Sequence, residues 1–392
     1  MPRLTYARQL NLINKAHRTA TPLAEVLAAA GHTYDDLVYK TTIGRSPRGP
    51  ASLSLSDFEH EQGAPDFVSF FTGCGGMDLG LSAVGWGHKA AFEFNELFCK
   101  TLRKNRPNWR VFGPPVHPGD VSEVSQVAQT LSEVIQRPFP GVFVGGPPCQ
   151  PFSIAANQRF AKWGDNFKRV GFSHAQNGNL LFDFVALIVH FRPRAFIVEN
   201  VPGLRDIDGG SQLARAYSML ATEGYTVQDP LLVNAADFGV PQERHRLFIV
   251  GARSPRPFAT PQALAKRPIC ARSLRLVGRP LNHETREHRA DSIRRYMELE
   301  YGSRDQLGRV DRLDPNLPAK TVIAGGTNGG GRSHLHPERP RTLSVRECAR
   351  LQTFPDDYVF VGPTARQFTQ VGNAVPPVLA AQIGRAVHHS YF

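Results

Sequence analysis

The amino-acid sequence predicts an α/β protein built on a doubly wound, mostly parallel sheet, with a smaller and more basic second domain. From Asp66 onward, short apolar runs bounded by Gly, Pro and Asn alternate with helical stretches. Such alternation is typical of a parallel sheet whose two faces are covered by helices. It stops between Arg253 and Thr342, where Arg, Pro and Gly dominate. A chain of 392 residues also exceeds what one hydrophobic core usually fills, which favours two domains.

The expected domain boundaries follow these changes in composition. Residues 1–65 are predicted to form a helical appendage, in which LAEVLAAAG ends at Gly31, and a linker, GRSPRGPASLSLS. Residues 66–252 hold the predicted strands DFVSFF, GHKAAFEF, GVFVGG, RAFIVEN and RHRLFIVGA, which form the first part of the sheet domain. Residues 253–342 form the predicted second domain, and residues 343–392 are predicted to return to the first.

The charge of the chain favours a polyanionic partner. The formal net charge is +12, and the segment between Arg253 and Thr342 carries 18 Lys and Arg against 9 Asp and Glu. Sixteen of those 18 are arginines, which bind phosphate and guanine through two parallel hydrogen bonds. Lysine and arginine on nucleic acid also release condensed counterions, which drives binding. We therefore expect this segment to contact DNA, and a solvated basic face is the alternative.

The cysteines and the apolar segments indicate the compartment. Five cysteines are an odd number and show no metal-ligand spacing, so neither a disulfide framework nor a zinc site is expected. We therefore expect the protein to work in a reducing cytoplasm. No apolar stretch approaches the roughly 18 residues that a membrane span requires. Four cysteines are expected to be buried and inert: Cys74, Cys99, Cys270 and Cys348.

A glycine-rich turn follows the first predicted strand. In FTGCGG, the glycines Gly73, Gly75 and Gly76 precede a helix that begins near Met77. Such a turn lets the backbone approach a ligand at the carboxyl end of a strand, although it could be only a tight turn. Glu93 and Asp120 stand at the ends of two further predicted strands, where carboxylates could accept from ribose hydroxyls and an adenine amine. Because no dinucleotide or phosphate-loop spacing is present, S-adenosyl-L-methionine suits this pocket better than NAD or ATP.

One cysteine differs from the others in its setting. GVFVGGPPCQPFS carries a buried strand into a Pro-Pro-Cys-Gln turn, which places Cys149 on a rigid loop at the carboxyl edge of the sheet. RAFIVEN ends another strand at Glu199 on the same edge. A thiol and a carboxylate that converge on one pocket are what attack on a pyrimidine ring requires, whereas a helix cap is the alternative role for Glu199.

Six motifs occur in one order between residues 66 and 392: FTGCGG, GGPPCQPFS, ENV, QERHRLFIVG, RECARLQTFP and QVGNAVPP. In these motifs the chain resembles the cytosine-5 DNA methyltransferases of bacterial restriction-modification systems. The resemblance implies a Rossmann-like methyltransferase sheet, with a target-recognition domain between QERHRLFIVG and RECARLQTFP. Composition places the basic segment, residues 253–342, at the same position.

The resemblance also implies roles for individual residues. Cys149 would add as a thiolate to carbon 6 of cytosine, and Glu199 would bind ring nitrogen 3 and the exocyclic amine, with a pKa raised by burial. Arg244 and Arg246 would hold the base and a flanking phosphate. The positions that match cofactor contacts are Phe71, Gly73, Gly75, Gly76, Glu93, Asp120 and Asn373.

The DNA-binding candidates lie in two regions. Arg332, in GGGRSH, is the leading candidate for a base contact, with Arg294 and Arg295 as phosphate contacts on a helix. The connection from Ser153 to Gly178 is longer than usual for the family and departs from its FSxxG pattern; it carries the further candidates Lys162 and Lys168.

The expected substrate is a flipped-out cytosine in duplex DNA. A separately encoded restriction endonuclease is an expected companion, and a monomer is the expected state. Two alternatives stay open: a tRNA cytosine-5 methyltransferase of the same superfamily, and a non-catalytic DNA-binding protein on this scaffold.

Overall fold

The computed structural model describes residues 4–41, 47–148, 180–275, 280–284, 286–307, 310–324 and 334–392. The chain divides into two compact units. The sheet unit comprises Ser54–Phe238, Arg244–Ala263 and Val375–Phe392, and the arginine-rich unit comprises Met1–Leu53, Gly239–Glu243 and Leu264–Ala374. These bounds differ from the expected ones at both ends, since residues 1–53 pack within the arginine-rich unit and only the last 18 residues rejoin the sheet unit.

Eight strands of the described residues form one sheet at the centre of the sheet unit. Its strands are β1 (Asp66–Phe70), β2 (Gly87–Phe92), β3 (Val111–Phe112), β4 (Val142–Gly145), β5 (Ala195–Asn200), β6 (Thr226–Val227), β7 (Leu231–Asn234) and β8 (His245–Ala252). The order is β3-β2-β1-β4-β5-β8-β6, and β7 also pairs with β8. The first five strands run parallel, and β8 runs antiparallel to its neighbours. The strand order reverses between β1 and β4, which is where ligands bind in sheets of this kind.

The described helices lie in both units. The sheet unit contains α3 (Gly76–Ala83), α4 (Glu96–Asn105), α5 (Val124–Ser132), α6 (Leu180–Phe191), α7 (Ser211–Thr222) and α12 (Pro377–Tyr391). The arginine-rich unit contains α1 (Tyr6–Thr19), α2 (Leu23–Ala29), α8 (Cys270–Ser273), α9 (Ala290–Met297), α10 (Val345–Leu351) and α11 (Thr364–Asn373).

Aromatic side chains fill the core between the sheet and the helices α5, α6 and α7. Phe70 lies at the centre, with ring centroids 5.4 Å from Phe92 and 5.1 Å from both Phe143 and Phe184. Burial of each such ring contributes roughly 2–3 kcal/mol to the hydrophobic stabilisation. On the other side of the sheet, α3 packs against α12 so closely that a Cβ atom at Gly80 would clash with backbone. Helices therefore cover both faces, as the sequence predicts.

The arginine-rich unit buries two arginines of the basic segment, Arg312 and Arg341. The guanidinium of Arg312 lies between the rings of Tyr39 and Tyr301, 3.5 Å and 3.9 Å from their centroids. Arg341 is fully buried, donates two hydrogen bonds of 2.8 Å to Glu347 and forms an ion pair with Asp35. The guanidinium groups of these two arginines are thus held in structural contacts with the N-terminal segment and α10.

The four cysteines that the structure describes, Cys74, Cys99, Cys270 and Cys348, are buried and free, as expected. Within the described ranges, none of the helices has both the length and the apolar character that a membrane span needs.

Candidate active site

The turn after β1 bends the backbone sharply at the carboxyl end of the strand. Phe71 has a left-handed backbone conformation with φ of 53°, and Gly73 and Gly75 follow with φ of 60° and 80°. This conformation costs a residue with a side chain on the order of 1 kcal/mol, whereas glycine adopts it freely. Among the described residues, a Cβ atom at Gly73 would meet no atom within 4 Å. The turn therefore leaves open space beside its backbone before α3 begins at Gly76.

Glu93 lies directly after β2 and connects that strand to the glycine-rich turn. Its Oε2 accepts a hydrogen bond from the backbone N–H of Gly73 at 2.7 Å, and its Oε1 accepts from that of Asn95 at 2.7 Å. The side chain is almost fully buried. Burial raises the pKa of Glu93 to about 7, although the N–H donors oppose the shift. The carboxylate thus positions the turn through backbone N–H donors on both sides of the site.

Asp120 lies beside Glu93, but not at the end of a strand as the sequence predicts. The strand β3 ends at Phe112, so Gly119 and Asp120 belong to the loop that follows it. A Cβ atom at Gly119, where φ is 70°, would lie 2.1 Å from the carbonyl oxygen of Glu93. Glycine at position 119 therefore lets the loop pack directly on the backbone of Glu93. Asp120 is the next residue of this loop. One oxygen of Asp120, Oδ1, accepts from the backbone N–H and the hydroxyl of Ser122, at 2.9 Å and 2.7 Å.

A buried polar network that sequence analysis missed supports the glycine-rich turn. Asp78, in the first turn of α3, accepts a hydrogen bond of 3.0 Å from Ser69 and lies 3.1 Å from Nε2 of His88. Thr72 in the turn donates to the Ser69 hydroxyl at 3.1 Å, and the ring of His88 stacks on Trp109 at 4.2 Å. The signal in the sequence is an aspartate among the apolar residues of GGMDLGL, because buried carboxylates are rare unless they are paired.

Residues at the end of β5 contact the loop that follows β4. The side-chain amide of Asn200 donates to the carbonyl oxygen of Pro147 at 3.3 Å. A Cβ atom at Gly146 would lie 3.0 Å from Oε2 of Glu199, so this glycine lets the loop approach the carboxylate. Cys149 lies outside the described residues, two positions after Pro147 in the chain. The described part of GGPPC therefore lies directly against the ENV motif.

Glu199 is buried at the end of β5 and paired with arginine. Its Oε1 lies 2.8 Å from Nε of Arg246. Burial raises the pKa of Glu199 above its usual range, while the charges of Arg246 and Arg244 oppose that shift. The sequence predicts both arginines on one face of a strand, but β8 begins at His245. Arg244 precedes the strand and is 1% exposed, and its backbone N–H donates to Oδ1 of Asn234 at 3.0 Å.

The remaining predicted residues fall in other places. Asn373 is the last residue of α11, in the arginine-rich unit. Arg294 and Arg295 lie on α9, as expected for helix-borne residues; Arg294 is exposed, whereas Arg295 lies 3.8 Å from Oδ2 of Asp305. Three DNA-binding candidates lie outside the described residues: Lys162, Lys168 and Arg332.

Solved structures with this fold include methyltransferases. A protein encoded within an Escherichia coli prophage, provisionally assigned as a DNA modification methyltransferase, aligns with a TM-score of 0.68 at 22% identity, over 83% of this chain and 99% of its own. A mutant of Spodoptera frugiperda DNMT2 aligns with a TM-score of 0.59 at 14% identity, over 83% of this chain and 100% of its own. At these identities the likeness shows the Rossmann-like methyltransferase fold.

Sequence comparisons identify the family. The model of the C-5 cytosine-specific DNA methylase family matches residues 66–300 and 271–389. Type II methyltransferase M.Eco47II of Escherichia coli is 32% identical over 82% of this chain and 78% of its own length. Type II methyltransferase M.NgoFVII of Neisseria gonorrhoeae is 30% identical over 86% of this chain and 90% of its own length. The chain therefore belongs to the C-5 cytosine-specific DNA methylase family.

Proposed function

We propose that this enzyme methylates carbon 5 of cytosine within a specific duplex DNA sequence, with S-adenosyl-L-methionine as the methyl donor and Cys149 as the nucleophile. The arrangement around Glu199 is the observation that carries the proposal. A buried carboxyl group with a raised pKa lies against Gly146 of GGPPC and pairs with Arg246. Such a group can bind the polar edge of a cytosine ring while a thiol adjacent in the loop attacks it.

The residues near the glycine-rich turn suit the nucleoside part of the methyl donor. The open space beside Gly73 gives a ligand access to backbone, and the buried carboxylate of Glu93 lies next to it. Carboxylate oxygens accept from ribose hydroxyls and an adenine amine, which are the roles we assign to Glu93 and Asp120. When bound, the donor supplies an electrophilic methyl group. Phe71, Gly75 and Gly76 belong to the same turn, whereas the assignment of Asn373 stays a prediction from the sequence.

The chemistry on the base is assigned to two side chains. The thiolate of Cys149 forms a bond to carbon 6, which makes carbon 5 nucleophilic, and Glu199 shares a proton with ring nitrogen 3 to offset the charge that develops. After carbon 5 is methylated it loses its proton, and the sulfur–carbon bond breaks. The base must leave the duplex stack for this reaction, at a cost of a few kcal/mol.

A covalent trap tests the mechanism. In duplex DNA that contains 5-fluorocytosine, fluorine replaces the proton that carbon 5 must lose, so the covalent adduct cannot break down. The wild type should therefore form a complex with this DNA that survives denaturant. Cys149→Ser should form none, and should lose turnover while it binds DNA and cofactor within a few fold of the wild type. If Cys149→Ser forms the complex or turns over normally, Cys149 is not the nucleophile.

The substrate and the partners need separate measurements. Methyl transfer from tritiated cofactor should be seen with duplex DNA and not with tRNA, and an absence of transfer to either would favour the non-catalytic alternative. Bisulfite sequencing of host DNA that expresses this chain would give the target sequence. The family is of the restriction-modification type, so we propose a separately encoded endonuclease that cuts the same sequence, and a monomer acting in the bacterial cytoplasm.

A further inference from the structure

The first helix of the chain carries a row of cations on the side that faces solvent. The helix α1 contains no Asp or Glu and buries Gln9, Ile13 and Ala16. The opposite side presents the α1 stripe, which we define as Arg8, Asn11, Lys15 and Arg18, all exposed. With 3.6 residues per turn, their spacing keeps these four side chains within about 80° around the helix axis. The three cations are thus aligned along one edge of α1.

The cations of the α1 stripe differ from several other solvent-accessible cations in forming no ion pair among the described residues. Elsewhere Lys89 pairs with Asp66 at 2.9 Å, Lys100 with Glu96 at 2.7 Å, and Arg385 with Glu61 at 2.9 Å. In the part of the chain that the structure describes, none of the three stripe cations forms an ion pair. Among the described residues, no ion pair therefore neutralises their charges.

The stripe is held in place by contacts on the buried side of the same helix. The side-chain amide of Gln9 donates to the carbonyl oxygen of Val38 at 2.8 Å and accepts from its N–H at 2.6 Å. Ile13 belongs to one hydrophobic cluster with Ile293 and Met297 of α9. A fixed helix loses little conformational freedom when it binds a ligand, which favours affinity.

We propose that the α1 stripe is a phosphate-binding surface for duplex DNA, additional to the basic segment of residues 253–342. The inference rests on the proposed function only in taking duplex DNA as the substrate. The three cations span about 15 Å along α1, a length over which duplex DNA presents several phosphates. A helix that lies across a DNA backbone adds affinity without reading bases. The stripe lies before residue 66, where the match to the family begins, so it is a feature of this chain beyond the matched region.

The test compares two triple variants with the same change in charge. Arg8→Gln/Lys15→Gln/Arg18→Gln removes the stripe, and Lys89→Gln/Lys100→Gln/Arg385→Gln removes three ion-paired cations of the sheet unit. The dissociation constant for a 40-base-pair duplex is measured between 50 and 300 mM salt. The stripe variant should bind about tenfold more weakly at low salt, and its slope of log affinity against log salt should fall by up to about 3. The turnover at saturating DNA and the methylated sequence should stay as in the wild type.

A third variant separates charge from side-chain shape. Arg8→Lys/Arg18→Lys keeps all three charges and should keep the wild-type salt slope. If the stripe variant and the sheet-unit control have the same affinity and slope, the inference is wrong. It is also wrong if the stripe variant loses affinity for tRNA but not for duplex DNA. Failure of the proposed function would be seen separately, as an absence of DNA methylation by the wild type in the same preparations.

Discussion

Asn200, the last residue of β5, donates its side-chain amide to the carbonyl oxygen of Pro147 at 3.3 Å. Its Oδ1 also accepts from the backbone N–H of Val201 at 2.8 Å. The residue next to the proposed acid Glu199 thus anchors the loop that leads to the proposed nucleophile Cys149. One buried side chain, which is 3% exposed, therefore holds the described part of this loop against the end of β5.

The first prediction concerns this anchor. Asn200→Asp keeps the acceptor for Val201 but removes the donor to Pro147, so the loop should shift and turnover should fall by about tenfold to 100-fold, since small misplacements of reacting groups are costly. Affinity for DNA should change by less than threefold. Single-turnover rates and DNA binding measured together separate the two effects. Unchanged turnover would mean that Pro147 needs no anchor.

The second prediction concerns the proposed acid. Glu199→Gln should lose roughly 100-fold to 1,000-fold in turnover, because an amide cannot supply a proton to the ring, and little in DNA affinity. Arg246 lowers the pKa of Glu199, so Arg246→Gln should raise it further. The protonated form would then persist to higher pH, and the alkaline limb of the pH–rate profile at saturating DNA should move upward. Two results would contradict the acid role and leave Glu199 as a helix cap. One is an alkaline limb that moves to lower pH in Arg246→Gln, and the other is a loss of turnover below threefold in Glu199→Gln.

The third prediction compares two glycines that share a left-handed backbone. Gly73→Ala has open space for its Cβ atom, so it should destabilise the fold by only about 1 kcal/mol while weakening cofactor binding. Gly119→Ala would place its Cβ atom 2.1 Å from the carbonyl oxygen of Glu93, so it should destabilise the fold by several kcal/mol. Urea unfolding and calorimetric titration with the cofactor measure the two effects. Equal stability of the two variants would contradict this contrast.

The fourth prediction is a pH dependence of stability. The pKa of Glu93 is raised to about 7 in the folded protein, so between pH 4.5 and about 7 the folded state holds a proton that the unfolded state releases. The contribution of Glu93 to the free energy of unfolding should therefore fall as pH rises through this window, by at most about 1.4 kcal/mol per pH unit. The difference between the wild type and Glu93→Gln should show that slope. An exposed control, Glu133→Gln, should leave the pH dependence of the wild type unchanged.

Strands of the sheet could be predicted where an apolar run of several residues is bounded by Gly, Pro or Asn. The runs at β1, β4 and β8 are buried over four or more residues and therefore leave a clear pattern. The strands β3 and β6 have two residues each, which is too short for a periodicity, so neither was identifiable. Because β3 is so short, the sequence does not show that it ends at Phe112, well before Asp120.

The burial of Arg312 and Arg341 could not be predicted from the sequence. Arginine in a basic segment is most often exposed, and the partners that bury these two, Tyr39 and Asp35, lie about 270 and 306 residues away in the chain. Only the folded structure brings them together. The fully buried carboxyl group of Glu347, whose pKa is lowered to about 2 with Arg341 as the main attractive charge, completes the cluster.

The last prediction concerns a transfer of specificity. If residues 253–342 recognise the target, their transfer into a related methyltransferase should transfer the methylated sequence, but the structure adds a condition. Arg312 donates to the carbonyl oxygen of Thr41 and lies on Tyr39, and Arg341 pairs with Asp35. A chimera that receives only residues 253–342 should lose about 3 kcal/mol or more of stability, because buried charges are left without partners.

A second chimera that also receives residues 1–53 keeps those partners and should be folded and active. Bisulfite sequencing of DNA modified by this second chimera decides the assignment, because its methylated sites should follow the sequence specificity of this chain. Sites that still follow the specificity of the recipient would show that recognition does not reside in residues 253–342. The two chimeras contain the same residues 253–342 and differ only in residues 1–53. Equal stability of the two in urea would therefore show that the N-terminal segment is not needed to hold Arg312 and Arg341.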